Sequence, residues 1–185
     1  MNAARPFVAV FICNAVLATA AERAWHFPTD ILPRLTQAGC NAGKCHGAAT
    51  GQGGFKLSLL GDDPAADHAA ITRERGGRRI DFANPERSLF LRKPSRDLDH
   101  KGGQKLRAQS ADWKAVRDWI AAGAPFGKTD LQVTKLVVTP AELRHSAQLK
   151  VMAHFSDGQT RDVTAMALYT TQNDAARNAR TICTT

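Results

Sequence analysis

The segment from Cys40 to His46 holds the residues whose types and spacing could do chemistry: two cysteines, with a histidine directly after the second. Each thiol can form a thioether with a haem vinyl group, and the histidine can bind the iron as proximal ligand. Four residues separate Cys40 from Cys45, where about two are usual. Asn41 and Gly43 are residue types that tolerate the positive φ angles of a longer loop. The segment predicts one covalently bound haem c, held by Cys40, Cys45 and His46.

Three other interpretations of these cysteines stay open on the sequence alone. A disulfide between Cys40 and Cys45 is ordinary in an exported protein, but it does not explain the histidine that follows. Zinc binds the same ligand types but needs a fourth ligand and usually paired motifs. Outside the N-terminal segment, the one further cysteine is Cys183, far along the chain. The third interpretation is chance.

The ligand on the other side of the iron is expected to be a histidine. Methionine is common in that position, but the methionines of this chain stand only at positions 1, 152 and 166, outside residues 25–127. His100 is the candidate distal iron ligand, because two glycines follow it and permit close backbone approach to a macrocycle. His26 is a weaker alternative, and His68 is expected to be an ordinary surface histidine. With no ligand there, the open iron would bind small molecules such as carbon monoxide.

The first twenty residues have the pattern of a secretory signal peptide. Arg5 gives a positive start, residues 6–17 are mostly apolar, and Ala18-Thr-Ala20 is a cleavage site of the A-x-A type. The apolar run is too short to cross a bilayer, so no integral membrane segment is expected after cleavage. The protein is predicted to be exported, to the periplasm or cell surface. This agrees with the motif, because bacterial haem c is attached outside the cytoplasm.

The chain is basic, with a formal net charge of +8. Two groups of basic residues stand out: Arg73, Arg75, Arg78, Arg79; and Lys101, Lys105, Arg107. Such a surface suits an acidic redox partner protein, haem propionates or an anionic polymer, or else only keeps the protein soluble. Nucleic acid is not expected as a partner of an exported chain. No motif for an enzyme active site is present, so the protein is expected not to be an enzyme.

Residues 25–127 are predicted to be helical, because apolar residues recur at helical spacing between glycine-rich connections. Helices are predicted over residues 30–38, 64–75, 84–91 and 110–122. Asp62 or Asp63 is expected to cap the second, and Gly123 to end the fourth. Trp113 and Trp119 are expected to pack in the core.

From about residue 131 the pattern changes to an alternation of apolar and polar residues, which is typical of strands. Strands are predicted over residues 131–138, 149–155 and 165–170. Asp157-Gly158 is a turn signal before the third region. A domain boundary is therefore expected at residues 126–130.

The chain also resembles known families. Residues 31–127 resemble the cytochrome c domain at the N-terminus of large exported planctomycete-type proteins. The fragments that carry this resemblance are GCNAGKCHG (39–47), GGFKLSLLG (53–61), NPERSLFLRKPS (84–95) and DWIAAGAPFG (118–127). The resemblance implies covalent haem and transfer of single electrons. It also supports a histidine followed by glycines near position 100.

Residues 136–178 resemble a bacterial Ig-like domain of the second group, through VVTPAEL and QLKVMAHFSDGQTRDVT. The expected fold class is an all-α cytochrome c-like haem domain followed by an incomplete all-β Ig-like sandwich. The expected divisions are a signal peptide (1–20), a haem domain (25–127), a partial Ig-like domain (131–178) and an unstructured tail (179–185). Further domains of a longer parent protein are implied. The rival function is a structural or adhesive module with a Cys40–Cys45 disulfide.

Overall fold

The structure is a computed structural model that describes residues 24–141 and 147–170. Its regular elements, in chain order, are α1 (Leu32–Gln37), α2 (Pro64–Thr72), α3 (Leu89–Ser95), α4 (Ala111–Ala121), β1 (Val133–Thr139), β2 (Lys150–Phe155) and β3 (Thr160–Asp162). A π-helical turn, Phe27–Ile31, leads directly into α1. The predicted signal peptide, the predicted tail, Cys183 and residues 171–178 of the predicted Ig-like domain lie outside the described residues.

Helix α2 begins at a cap that the sequence predicts, and α4 is capped by Ser110, the first residue of the predicted fourth helix. Asp63 stands directly before Pro64, the first residue of α2, and its carboxylate accepts a hydrogen bond of 2.9 Å from the backbone N–H of Ala66. The Ser110 hydroxyl accepts one of 3.3 Å from the N–H of Trp113. Each bond satisfies an N–H group that has no partner within the helix itself. Gly123, with φ +89°, follows α4 and allows the chain to turn away.

The predicted single helix over residues 84–91 is wrong, because the chain is extended at Ser88. A short 3₁₀ turn, Pro85–Arg87, precedes this residue, and α3 begins only at Leu89. Ser88 is buried, and its hydroxyl accepts a 2.9 Å hydrogen bond from the N–H of Asp81. A serine bonded in this way to a distant backbone group competes with helix continuation.

The hydrophobic core lies among the helices. The Phe27 and Trp119 rings are 5.5 Å apart, so α4 packs on the first helical turn, and Arg34 of α1 forms an ion pair with Asp112 of α4. Trp113 and Trp119 are both buried, as predicted. The other large, fully buried apolar side chains are Ile31, Leu35, Leu57, Ile71, Leu91, Val116 and Ile120.

The three strands form one antiparallel sheet in the order β1-β2-β3. Strand β2 alternates as predicted: Val151, Ala153 and Phe155 are buried, and the residues between them are more exposed. The predicted strand over residues 165–170 is wrong. The 3₁₀ turn Thr164–Met166 stands there, because the Asp162 carboxylate accepts hydrogen bonds from both the N–H and the hydroxyl of Thr164.

The predicted fold class, an all-α haem domain followed by an incomplete all-β sandwich, is wrong. The described residues form a mixed α/β fold of four short helices and one three-stranded sheet. A sandwich buries one sheet against a second, whereas here the helical segment contacts the sheet. Arg161 of β3 lies 3.7 Å from the carboxylate of Asp30, and the Gln37 amide donates a hydrogen bond of 3.4 Å to the Ala167 carbonyl.

A cavity of about 350 Å³ lies between these two parts of the chain, lined among others by Trp25, Arg34, Phe155 and Met166. The boundary near residues 126–130 stays a prediction. Within the described ranges, no helix is both long enough and apolar enough to cross a bilayer.

Candidate functional site

The segment from Cys40 to His46 is a compact loop that follows α1 without a break. The Cys40 N–H donates a 2.9 Å hydrogen bond to the Leu35 carbonyl, and the Gly39 N–H donates one of 2.9 Å to the Thr36 carbonyl. With a φ of +75° at Gly39, these bonds form a Schellman cap that ends α1 and turns the chain into the loop. The His46 N–H donates to the Cys40 carbonyl at 3.0 Å, and the Cys45 N–H donates to the Ala42 carbonyl at 2.8 Å. These bonds draw both ends of the motif together despite the four residues between the cysteines.

Glycine is required at the end of this loop. A Cβ atom on Gly47 would stand 2.0 Å from the Asn41 carbonyl oxygen, which is far inside van der Waals contact. The expectation that Asn41 and Gly43 supply positive φ angles is wrong, since the positive φ of this region is at Gly39, at +75°. The loop gains its tightness from close backbone packing at Gly47 rather than from left-handed residues between the cysteines.

Asn41 attaches the loop to α1. The side chain is fully buried, and its amide donates a hydrogen bond of 2.9 Å to the Thr36 hydroxyl. Its backbone carbonyl accepts a hydrogen bond of 3.1 Å from the N–H of Leu60. The loop is therefore held from both sides, by the helix before it and by the turn that follows it in the fold.

Cys40 and Cys45 are free thiols, each partly exposed. Burial raises the pKa of the Cys40 thiol to about 11; the positive charge of Lys105 opposes this rise, and Cys45 adds to it. The Lys105 ammonium is close, 3.9 Å from the place that a Cβ on Gly39 would occupy. At neutral pH Cys40 is therefore a protonated thiol.

His46 is oriented by a backbone carbonyl. Its Nδ1 atom lies 2.9 Å from the Phe55 carbonyl oxygen, and its ring lies 4.6 Å from the Phe55 ring, centroid to centroid. A carbonyl oxygen can only accept, so Nδ1 carries the proton and Nε2 of the neutral ring has a free lone pair. Burial lowers the pKa of His46, the Phe55 hydrogen bond opposes this, and the nearby His100 and Arg79 lower it further. The neutral form, which binds metals, is favoured.

His100 has the same arrangement. Its Nδ1 atom lies 2.7 Å from the Gly103 carbonyl oxygen, so its Nε2 atom also has a free lone pair when the ring is neutral. The ring lies directly over Gly102, where an added Cβ would stand 2.9 Å from the imidazole Cε1 atom. Gly102, two residues after His100, therefore leaves room for the imidazole ring against the backbone.

The fold brings these two histidines together although they are far apart in the sequence. Their ring centroids are 6.3 Å apart, and their planes differ by 16°. Two imidazoles on opposite sides of one metal, each bound through a nitrogen at roughly 2.0 Å, would have centroids about 6 Å apart. A ligating histidine usually donates its other N–H to a carbonyl or carboxylate, and both rings do so. The centroid spacing and the two Nδ1 hydrogen bonds are both compatible with ligation of one metal ion.

The other two histidines considered above have different roles. His26 is buried, and both of its ring nitrogens are hydrogen-bonded, Nδ1 to the Thr29 hydroxyl and Nε2 to the Lys128 carbonyl, each at 2.8 Å. The prediction that His68 is an ordinary surface histidine is wrong, because its ring packs in the aromatic core, 5.2 Å from the Phe27 ring. The aromatic rings that it contacts lie about forty residues before it or more than fifty residues after it in the chain. The residues next to His68 in the sequence therefore do not indicate that it is in the core.

Arg79 is the residue of this region that the sequence did not single out. The basic cluster at residues 73–79 was expected to be surface, but Arg79 is buried. Its guanidinium lies 4.4 Å from the centroid of Phe55, the residue whose carbonyl orients His46. Arg73, Arg75 and Arg78 of the same cluster are exposed, as expected. A run of arginines does not itself indicate which member turns inward.

A second cleft, of about 410 Å³, is lined by residues 58–62 and borders the cysteine loop. Leu59 in this cleft stands 3.8 Å from the place a Cβ on Gly43 would take. Across the two described ranges there is no group of three or more His, Cys, Asp and Glu side chains placed to hold a metal ion. Haem iron needs only one or two ligands from the protein.

No family model, curated protein or solved structure matches this chain. The resemblance to the exported cytochrome c domain and to the Ig-like domain therefore stays a prediction.

Proposed function

We propose that this protein is an exported monohaem c-type cytochrome that carries single electrons. Cys40 and Cys45 would hold the haem covalently, His46 would be the proximal iron ligand, and His100 the distal one. One observation carries the proposal: the imidazoles of His46 and His100 lie with centroids 6.3 Å apart, and the Nδ1 atom of each is bonded to a backbone carbonyl. When the two rings are neutral and carry their protons on Nδ1, both Nε2 lone pairs are available to a metal.

The position of the two thiols supports covalent attachment at the same place. His46 follows Cys45 directly, and its N–H is bonded to the Cys40 carbonyl, so the cysteines and the first histidine belong to one loop. Formation of each thioether adds a thiol across a vinyl double bond: the sulfur binds one carbon and the proton goes to the other, with no net oxidation. Burial keeps Cys40 a protonated thiol at neutral pH, and the Lys105 ammonium offsets only part of the rise in its pKa.

Haem iron would supply a one-electron couple, and the residues of the protein would set its potential. Two imidazoles stabilise the ferric state more than one imidazole and one thioether do. The protein should therefore have a lower reduction potential than a cytochrome with methionine ligation. Because charged groups near the ligand also affect the potential, the Arg79 guanidinium beside Phe55 works in the opposite direction.

The proposal includes export of the protein and an acidic protein as its redox partner. The signal pattern at residues 1–20 supports export, and the net charge of +8 suits an acidic redox protein as partner. Electron transfer needs no group that makes or breaks substrate bonds. The Phe55 ring contacts His46, and the carbonyls of Phe55 and Gly103 orient the two imidazoles, which would in turn position the cofactor.

The experiment is an in-gel haem stain after denaturing electrophoresis, on full-length protein exported in a host with cytochrome c maturation. Haem that migrates with the denatured chain is expected, and the Cys45→Ala variant should lose most of it. Folded protein without haem, from a host that matures a control cytochrome, would overturn the proposal. The disulfide-bearing structural module would then be the better interpretation.

A further inference from the structure

We infer that Arg79 is the positioning residue of the His46 site: its guanidinium fixes the segment whose Phe55 carbonyl orients the imidazole, and it places a positive charge beside that ring. The inference deepens the proposed function and rests on it for the effect on potential. Its structural part concerns His46, Phe55 and Arg79 alone. It can therefore be tested on the full chain with or without haem.

The first support is the set of contacts that Arg79 makes. One terminal nitrogen donates a hydrogen bond of 2.7 Å to the Ala70 carbonyl of α2, and the other donates one of 3.2 Å to the Gly54 carbonyl. The guanidinium plane thus joins α2 to the residue directly before Phe55. Arginine has this reach because its donors are arranged in a rigid planar fork, which lysine lacks.

The second support is the ring of Phe55, which contacts both partners. The guanidinium carbon lies 4.4 Å from the Phe55 centroid, within the range of a cation–π contact, and the His46 centroid lies 4.6 Å from it. Arg79 therefore fixes Phe55 through its ring and through the neighbouring Gly54 carbonyl. Phe55 in turn contacts the His46 ring and accepts its Nδ1 hydrogen bond. Loss of the arginine would free both.

The third support is burial. Arg79 is only 8% exposed, and the carboxylate nearest to it, Glu74, lies 3.6 Å away on a half-exposed side chain. Burying a guanidinium is costly unless its donors are used, and here they are directed at the backbone carbonyls of Ala70 and Gly54. A charge held in this way is screened much less than an exposed one. A fixed cation near the ligand disfavours the more positive ferric state, so it raises the potential.

The test compares three variants of the full chain. Arg79→Gln removes charge and fork, Arg79→Lys keeps the charge but loses the fork, and Arg78→Gln is the matched control, because Arg78 is exposed and its loss changes the net charge equally. The first readout is the ¹⁵N chemical shifts of the His46 ring in haem-free protein, at a pH where the ring is neutral. They report how much of the ring carries its proton on Nδ1. The second readout is the midpoint potential of the haem-bearing protein.

The Nδ1–H form of His46 should dominate in the parent protein and in Arg78→Gln, and should fall clearly in both Arg79 variants. The midpoint potential should fall in Arg79→Gln, and Arg79→Lys should restore most of that loss. Unchanged ring shifts in Arg79→Lys, which is the milder variant if Arg79→Gln does not fold, would overturn the positioning role. Equal potentials in Arg79→Gln and Arg78→Gln would overturn the charge effect. A parent protein without haem contradicts the proposed function, whereas the ring shifts still decide the role of Arg79.

Discussion

At the scale of single residues, the arrangement of His46 and His100 gives the most direct test of the ligands. Under the proposed function, His100→Ala should leave the haem attached, because the thioethers would come from Cys40 and Cys45, but it should change the spin state of the iron. The optical spectrum should move to that of an open site, and carbon monoxide should bind readily to the reduced protein. His154→Ala, in strand β2, is the control. Identical spectra before and after His100→Ala would remove that residue from the site.

Gly47 offers a second test, because its neighbour in space is a backbone oxygen that cannot move alone. Gly47→Ala should destabilise the protein by more than about 2 kcal/mol, since the new Cβ would stand 2.0 Å from the Asn41 carbonyl oxygen. Urea denaturation followed by tryptophan fluorescence measures this. Gly43→Ala, in the same loop, places its Cβ 3.8 Å from the nearest atom and should be tolerated. Equal stability of the two variants would contradict the packing described for the loop.

His68 should make stability depend on pH. Burial is the main cause that lowers the pKa of His68, and the hydrogen bond to the Ala124 carbonyl and the charge of Arg73 have smaller effects. The unfolded chain therefore takes up a proton at higher pH than the folded protein. The stability that neutral His68 allows is complete above its ordinary pKa and is lost as pH falls from there through the folded pKa. His68→Gln should flatten this part of the stability profile, measured by urea denaturation at several pH values.

At the scale of elements, the Asp63 cap of α2 and the end of α4 at Gly123 were predicted correctly, because both depend on neighbouring residues. Asp63→Ala should cost about 1 kcal/mol of unfolding free energy, since the N–H of Ala66 loses its acceptor. Asp62→Ala removes the same charge one residue earlier and should have little effect. Chemical denaturation of both variants checks this. A similar loss in both would assign the effect to charge at the helix N-terminus and not to the cap.

Elements whose ends depend on distant partners were predicted less well. The break at Ser88 comes from a bond to Asp81, seven residues earlier, which a periodic pattern does not report. The 3₁₀ turn at Thr164 has a local cause, the bond to Asp162 two residues earlier, which the alternating pattern did not reveal. The site divides in the same way. The cysteines and His46 form a local motif and could be named from spacing alone. The partnership of His46 with Arg79 through Phe55 depends on residues more than thirty positions away, and only the fold shows it.

At the scale of the whole molecule, the contact of the sheet with the helical segment should make the two unfold together. Arg161 lies over the Phe155 ring, 4.0 Å from its centroid, and pairs with the buried Asp30. Arg161→Ala should lower the unfolding free energy by about 2 kcal/mol, because it leaves a buried carboxylate with fewer partners. All three tryptophans, at positions 25, 113 and 119, lie in the helical segment, so their fluorescence reports on that part.

The control for this prediction is Lys150→Ala, which breaks the exposed pair of Lys150 with Asp162 in the same sheet and should change little. A tryptophan transition that Arg161→Ala does not shift would mean that the helical segment unfolds independently of the sheet. The fold class was mistaken at this scale because periodicity describes each segment separately. It carries no information on which surfaces meet.

The two imidazoles owe their orientation to nearby residues, His46 to Phe55 and His100 to Gly103, but their meeting joins positions 46 and 100. Each imidazole can therefore be oriented by its own loop, whereas the approach of the two rings requires long-range contacts. Such contacts form late in folding and are lost early in unfolding. Under mild denaturation the two rings should separate before either loses its orientation. Because each ring keeps its orientation, the contact between them should re-form quickly, so it would report local opening of the molecule rather than global unfolding.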